Sequence, residues 1–237
     1  MSNTTELLDH GFIRLANLSG PIRRPDQEFD AADTDPANSA RMSFGQMDKG
    51  RQEEADHKLA RYLIRNSHST PLEMIEVWLE FKLPIFLARQ FVRHRTAVIN
   101  EISGRYVKLP EEWYIPAAVG AAADNVKQGQ GGILDGDIDA EYKKRLNDDC
   151  QNSYNNYSWA IDSGVAMEHA RFFLHVNHYT QWLWKQNLSN LMRFISLRDH
   201  SHAQVEAQWY AQAIDAQLRK QLPHLMQAYD DYIRKGD

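Results

Sequence analysis

Between Ile75 and Leu83 apolar and polar residues alternate. Ile75, Val77, Leu79, Phe81 and Leu83 share one face, with Glu76, Glu80 and Lys82 on the other. Period two marks a strand with one buried face, and this is the clearest strand in the chain. A second is predicted over 176–184, where Val176, Thr180, Trp182 and Trp184 alternate with Asn177, Tyr179 and Gln181, and a third around Phe12–Leu18. Helical spacing replaces alternation over 51–66, where Ala55, Leu59, Tyr62 and Leu63 fall at i, i+4, i+7 and i+8 and are expected to face the core. Pro84 opens a helix through PIFLARQFVRHR that ends near Arg93. A long helix begins at about 140, with Tyr142, Leu146, Tyr157 and Ile161 expected inward and Gly164 as its C-terminal stop. A short helix through Arg171, helices at 189–198 and 203–221, a break at Leu222-Pro223 and a last amphipathic turn complete the reading.

Two stretches lack a period. Residues 19–36 are rich in Pro, Asp and Ser, and are expected to be a loop supplying few core residues. Residues 117–139 hold five of the twelve glycines and read as a surface connection; their GQGG is no phosphate loop, because no GK[ST] follows. No internal repeat and no βαβ alternation with a glycine fingerprint occurs. The expected fold is therefore α/β of the α+β type: one compact domain over 1–237, with a mainly antiparallel sheet flanked by helices, outside the Rossmann plan.

The 237 residues are 43% hydrophobic, enough for one sizeable core. With 27 basic against 32 acidic side chains the net charge is -5, which argues against a binder of nucleic acid polymers, so any anion site must be local. One cysteine, Cys150, excludes an intrachain disulfide, Cys-rich zinc sites and CxxC redox motifs, and fits a reducing cytoplasm. Charged residues among the first thirty, such as Asp9, Arg14, Arg23 and Arg24, leave no stretch that reads as a signal peptide or membrane span.

Residues 93–106, RHRTAVINEISGRY, gather Arg93, Arg95 and Arg105 around Glu101 and Ser103 in a chain that is acidic overall. Neighbouring guanidinium groups repel one another, and phosphate matches their planar donor fork. An anion site and a solvated basic turn are both compatible with this spacing. Arg171 and Arg198 lie among apolar neighbours and need anionic partners, either a ligand or the adjacent Glu168 and Asp199. The pairs His175/His178 and His200/His202 lack the spacing of a metal site, and no metal is expected. Cys150 lies beside Asp148 and Asp149, whose charges disfavour a thiolate, so it is expected to be inert.

At 93–106 the sequence resembles the flavin-dependent thymidylate synthase family, whose signature is Arg-His-Arg, seven residues and a Ser, here Arg93-His94-Arg95 and Ser103. Further family-like segments follow in order: ARMSF at 40–44, SHSTPLE at 67–73, PIFLARQFVRHR at 84–95, HARFFL at 169–174 and NLSNLMRFISLRDHSHAQ at 187–204. The resemblance implies methylation of dUMP to dTMP with methylenetetrahydrofolate and NADPH-reduced FAD. For FAD it implies Thr70, Arg93, His94, Arg95, Glu101, Asn187, Leu188, Ser189 and Arg193. For dUMP it implies Gln90, Arg93, Glu101, Ser103, Gly104, Arg105, Arg171 and Arg198, with Arg198 as the catalytic cation, and it puts folate near His68. It also implies a homotetramer with active sites at subunit interfaces. Ser189 stands where many members have Arg, Arg193 where several have Asn or His, and Met74 where His is common. The alternatives are a non-catalytic flavin or nucleotide-binding module and an RNA-binding domain using Trp182 and Trp184; the acidic charge balance disfavours the latter.

Overall fold

A computed structural model describes residues 3–47, 53–123 and 130–234. Residues 51–52 of the expected second-quarter helix and 124–129 of the expected surface connection lie outside them. Strand β1 (Thr4–Leu7) turns into β2 (Gly11–Ser19), and the helices α1 (Asp35–Arg41), α2 (Glu53–Arg65) and α3 (Thr70–Glu73) follow. Then come β3 (Glu76–Pro84), α4 (Ile85–Phe91) and β4 (Val98–Glu101). The chain continues through α5 (Gly136–Asp162), α6 (Met167–Ala170), β5 (Tyr179–Asn187), α7 (Leu188–Arg198), α8 (Val205–Gln221) and α9 (Pro223–Tyr232). The five strands form one antiparallel sheet in the order β1-β2-β3-β5-β4. This is the expected non-Rossmann α+β arrangement.

Alternation works in β3 because the sheet has one covered face. Val77, Leu79, Phe81 and Leu83 are buried, and opposite them on β5 so are Trp182 and Trp184. Phe81 lies edge-on to Trp184 at 5.4 Å, and Trp184 meets Phe194 of α7 at 4.9 Å, separations at which aromatic pairs attract beyond simple burial. The other face carries ion pairs, Arg14–Glu80, Lys82–Glu112 and Lys185–Glu76. Gly11 is required at the β1–β2 hairpin, where a Cβ would strike the Tyr210 hydroxyl and the carbonyls of Leu7 and Lys82. A smaller apolar cluster, Leu109, Tyr154, Tyr157, Ala160 and Ala170, fastens α5 to the α6 region. Gly164, at φ +81, ends α5 as expected.

Several expectations are corrected. In α2 the buried face is Asp56, Ala60, Leu63 and Ile64, whereas Ala55 and Tyr62 are exposed. The helix is rotated from the apolar reading because Asp56 turns inward to pair with the buried Arg41. The 19–36 stretch supplies only Phe29 and Ala31 to the core, as few as expected, but the ion pair Arg24–Asp35 is drawn in with them. α5 starts at Gly136, with the Asp135 side chain accepting from the Asp137 N–H. Its buried face is Cys150, Ser153, Tyr154, Tyr157 and Ala160; Tyr142 is exposed and Leu146 only half-buried. β5 begins at Tyr179 rather than 176, leaving Val176 exposed. α4 ends at Phe91, two residues short of Arg93, with Pro84 as its N-cap rather than its first residue. β1, β4 and α1 have no counterpart in the sequence reading, and the last turn is the ten-residue α9.

Candidate active site

The signature segment runs along the edge of the sheet. Val98–Glu101 pair with Lys185–Trp182 of β5, and the Ile102 N–H reaches the Gln181 carbonyl at 2.8 Å. The chain then turns at Ser103, whose carbonyl accepts from the Tyr106 and Val107 N–H groups. Gly104 packs its backbone so closely that a Cβ would sit 3.3 Å from Leu109 and 3.6 Å from the Arg171 side chain. The result is a cleft of about 500 Å³ lined by Glu101, Ser103, Gly104, Arg105, Arg171 and Thr180, among others. Glu101 accepts a 2.5 Å hydrogen bond from the Thr180 hydroxyl, and the Ser103 Oγ accepts from the Arg105 N–H at 3.3 Å. Arg105 lies over the Tyr106 ring at 5.2 Å. Arg171 is exposed, not buried among its apolar neighbours; its Nε donates to the Glu168 backbone carbonyl at 3.3 Å and not to that carboxylate.

Arg198 ends α7 against α4. Its Nε donates to His94 Nε2 and its Nη2 to the Gln90 carbonyl, each at 3.3 Å. The adjacent Asp199 is not its partner, because Asp199 pairs with Arg234. Burial lowers the Arg198 pKa, and with no carboxylate beside it the guanidinium keeps an unneutralised charge. His94 is pushed down to about 4, first by burial and then by the Arg198 cation, so it is neutral at pH 7 and its Nε2 is an acceptor. The Gln90 side-chain amide donates to Gln204 at 2.6 Å.

Most residues that the resemblance assigns to FAD collect at the other end of β5, whereas Glu101 lines the arginine cleft and His94 contacts Arg198. Arg93 and Arg95 project into solvent from the turn before β4, which Gln186 anchors through a 2.7 Å hydrogen bond to Thr96. Asn187 caps α7 by accepting from the Asn190 N–H at 2.9 Å. Leu188 is buried in the core with its N–H on the Ile75 carbonyl, and Ser189 is largely buried, whereas Arg193 is exposed. Thr70 is exposed on α3, which packs against α7. His68 is exposed, its ring edge-on to Tyr62.

Arg14, Arg24, Arg41, Arg61, Arg219 and Arg234 are all in ion pairs. Among the described residues, Arg93, Arg95, Arg105, Arg171 and Arg198 are in none, and neither are Arg23, Arg65, Arg89 and Arg193. In a chain of net charge -5, the unpaired Arg93, Arg95 and Arg105 leave a local surplus of guanidinium where the signature lies. Thr180, Gln186 and Gln204, which fasten this region, were not assigned to the site from the sequence; Thr180 lay on the expected strand, Gln186 just beyond it and Gln204 at the end of a family-like segment. Cys150 is buried, its thiol donates to Asn177 Oδ1 at 3.5 Å, and burial pushes its pKa up. No helix among the described residues is long and apolar enough to cross a membrane.

Residues 27–224 match the family model described as "Thymidylate synthase complementing protein". A flavin-dependent thymidylate synthase of Wolbachia pipientis wMel is 40% identical over 229 residues, covering 96% of this chain and 76% of that protein. A Thermus thermophilus protein of the same name is 39% identical over 233 residues, covering 98% and 80%. Among solved structures, a UMP/dUMP methylase, PolB from Streptomyces cacaoi bound with 5-Br dUMP, superposes with a TM-score of 0.83 at 27% identity, covering 98% of this chain and all of that one. The signature, the antiparallel sheet that displays it and these matches over most of the length agree: the chain belongs to the flavin-dependent thymidylate synthase family.

Proposed function

We propose that this chain, acting as one domain over 1–237, methylates dUMP to dTMP, with methylenetetrahydrofolate as carbon donor and NADPH-reduced FAD as hydride source. The observation that carries the reading is Arg198: a half-buried guanidinium held by a neutral histidine and a backbone carbonyl, with its charge left free. A cation so held is preorganised to stabilise negative charge arising on a bound uracil ring. Cys150 is buried with a raised pKa and is unsuited to attack uracil as a thiolate.

The 500 Å³ cleft receives dUMP, with Ser103, Arg105 and Arg171 on its phosphate, Gly104 admitting it to the backbone and Glu101 beside it; Gln90, Arg93 and Arg198, which do not line that cleft within one chain, complete the set from a neighbouring subunit. PolB's bound 5-Br dUMP supports a pyrimidine nucleotide as the ligand. The donor chemistry at the far end of β5 fits a flavin dinucleotide, because Arg93 and Arg95 are unpaired cations matched to a pyrophosphate. Thr70, His94, Glu101, Asn187, Leu188, Ser189 and Arg193 complete that set, with Leu188 acting through its backbone because its side chain is buried. When bound, the flavin supplies the hydride that the methylene group needs to become methyl. His68, exposed next to Thr70's helix, is assigned to folate.

The two arginine groups are separated along β5 by the span from Thr180 to Gln186, roughly 20 Å at strand rise. That separation supports active sites that combine both ends from different subunits, which suits the homotetramer that the family resemblance implies, and reducing conditions in the cytoplasm suit its lone cysteine. A flavin-loaded, active monomer in sedimentation would exclude shared sites. The test of function is the absorption spectrum of the purified protein under anaerobic conditions. Flavin bands should bleach with NADPH and recover on adding dUMP and methylenetetrahydrofolate, with dTMP formed. Flavin binding without dTMP would instead support the non-catalytic module.

A further inference from the structure

A cavity of about 670 Å³ between the 27–34 loop, α2 and the start of α9 shares no lining residue with the arginine cleft. Asp33, His57 and His224 each bring a donor atom to it, all within 4.8 Å of one another. The two imidazoles are stacked, 3.7 Å between centroids and 24° between planes. His57 Nε2 is shielded from solvent and has no hydrogen-bond partner; Glu53, one helical turn earlier, is 3.7 Å away. A nitrogen so placed has lost water without gaining a hydrogen bond. The Asp33 carboxylate is fixed by the His224 and Leu225 N–H groups at 3.1 and 2.9 Å, and each oxygen retains a lone pair. Three lining carboxylates, Glu28, Asp33 and Glu53, outnumber the one ammonium, Lys220.

We infer that Asp33, His57 and His224 form a site for a divalent first-row transition ion of the zinc class, with Glu53 as a fourth donor. Two imidazoles with carboxylates suit Zn²⁺ or Co²⁺, whereas Mg²⁺ and Ca²⁺ prefer all-oxygen shells. Donors about 2.0–2.1 Å from a tetrahedral ion lie roughly 3.4 Å apart, so the ion draws the group inward. A metal lies in the plane of each imidazole it binds, so the stacked rings must swing apart. No metal was expected from the spacing of His175/His178 and His200/His202, and Asp33 and His224, separated by 191 positions, form no local motif. The ion would tie the N-terminal loop to α2 and α9, a stabilising clip that the proposed chemistry does not use.

The test is titration of the chelator-stripped, full-length protein with Co²⁺ alone, read by visible d–d absorption and thermal unfolding. One equivalent should give d–d bands of a tetrahedral nitrogen-oxygen site, displaced by Zn²⁺ but not by Mg²⁺ or Ca²⁺, and raise Tm by a few degrees. His57→Gln and His224→Gln should each weaken Co²⁺ binding by about tenfold or more. Should either variant fold poorly, Glu53→Gln, at a side chain 79% exposed, should weaken binding without loss of flavin content. Absence of both d–d bands and a Tm shift in the parent protein overturns the site, as does Co²⁺ binding that survives the histidine substitutions unchanged.

Discussion

Arg198→Ala is the perturbation that tests the proposed chemistry most directly. It removes the hydrogen bonds to His94 and to the Gln90 carbonyl, both at 3.3 Å and so at the long end of the range. Their loss costs about 1–2 kcal/mol of stability. Part of that returns because a half-buried, unpaired cation is no longer desolvated, so the variant should fold and keep its flavin. Catalysis should suffer far more. Removing one preorganised electrostatic contact slows a reaction by about 10²–10³, or about 2.7–4 kcal/mol of transition-state stabilisation. Arg198→Lys should also be impaired, because an ammonium cannot present the planar fork. His94 is an internal reporter: without the neighbouring cation its pKa should rise from about 4, yet stay below the free value because burial is the larger cause. Steady-state dTMP production, flavin occupancy and an NMR titration of His94 measure the three effects. A flavin-loaded Arg198→Ala enzyme with undiminished turnover would show that charge on the uracil ring is stabilised elsewhere.

Three further outcomes are expected. His94 and His178 are both held neutral by burial, with pKa values down to about 4, whereas the unfolded chain takes up those protons near 6.5. Their folded pKa values lie below the unfolded ones, so stability should be intact above about pH 6.5 and decline as pH falls toward 4. Urea midpoints at pH 7 and 5 measure the decline, and His178→Gln should flatten it; an unchanged slope refutes the assignment. Asp56→Ala should cost about 3–5 kcal/mol in chemical denaturation, since it strands the Arg41 guanidinium, whose side chain is only 7% exposed. Cys150→Ala should leave dTMP formation unchanged, and a dead variant with normal flavin content would return the thiol to the mechanism.

The parts of the fold legible in the sequence are those in which one face meets one core. β3 declares itself because its buried face is uninterrupted, and α7 and α8 because their apolar residues recur at helical spacing. β1 and β4 do not. Both are four-residue edge strands with few buried side chains, TTEL and VINE, and pairing rather than burial defines them. α2 misleads for a different reason: its inward position at 56 is an aspartate neutralised by Arg41, a partner 15 residues away that no periodicity reveals. At the candidate site, the surplus of unpaired arginine was readable from the crowded signature and the acidic background. The partners that hold it were not, since Thr180 lies 79 positions from Glu101 and His94 104 from Arg198.

The two side-chain anchors on β5 set a rule for change in the segment between them. Thr96 is tied to Gln186 and Glu101 to Thr180, and Val98–Glu101 pair one for one with Lys185–Trp182. Because β4 is held in that register, inserting or deleting one residue within 98–100 would turn Glu101 away from Thr180 or move the turn that carries Thr96 out of step with Gln186. Homologous chains should therefore keep this interval at constant length even where its residues vary, tolerating drift in composition but not in count.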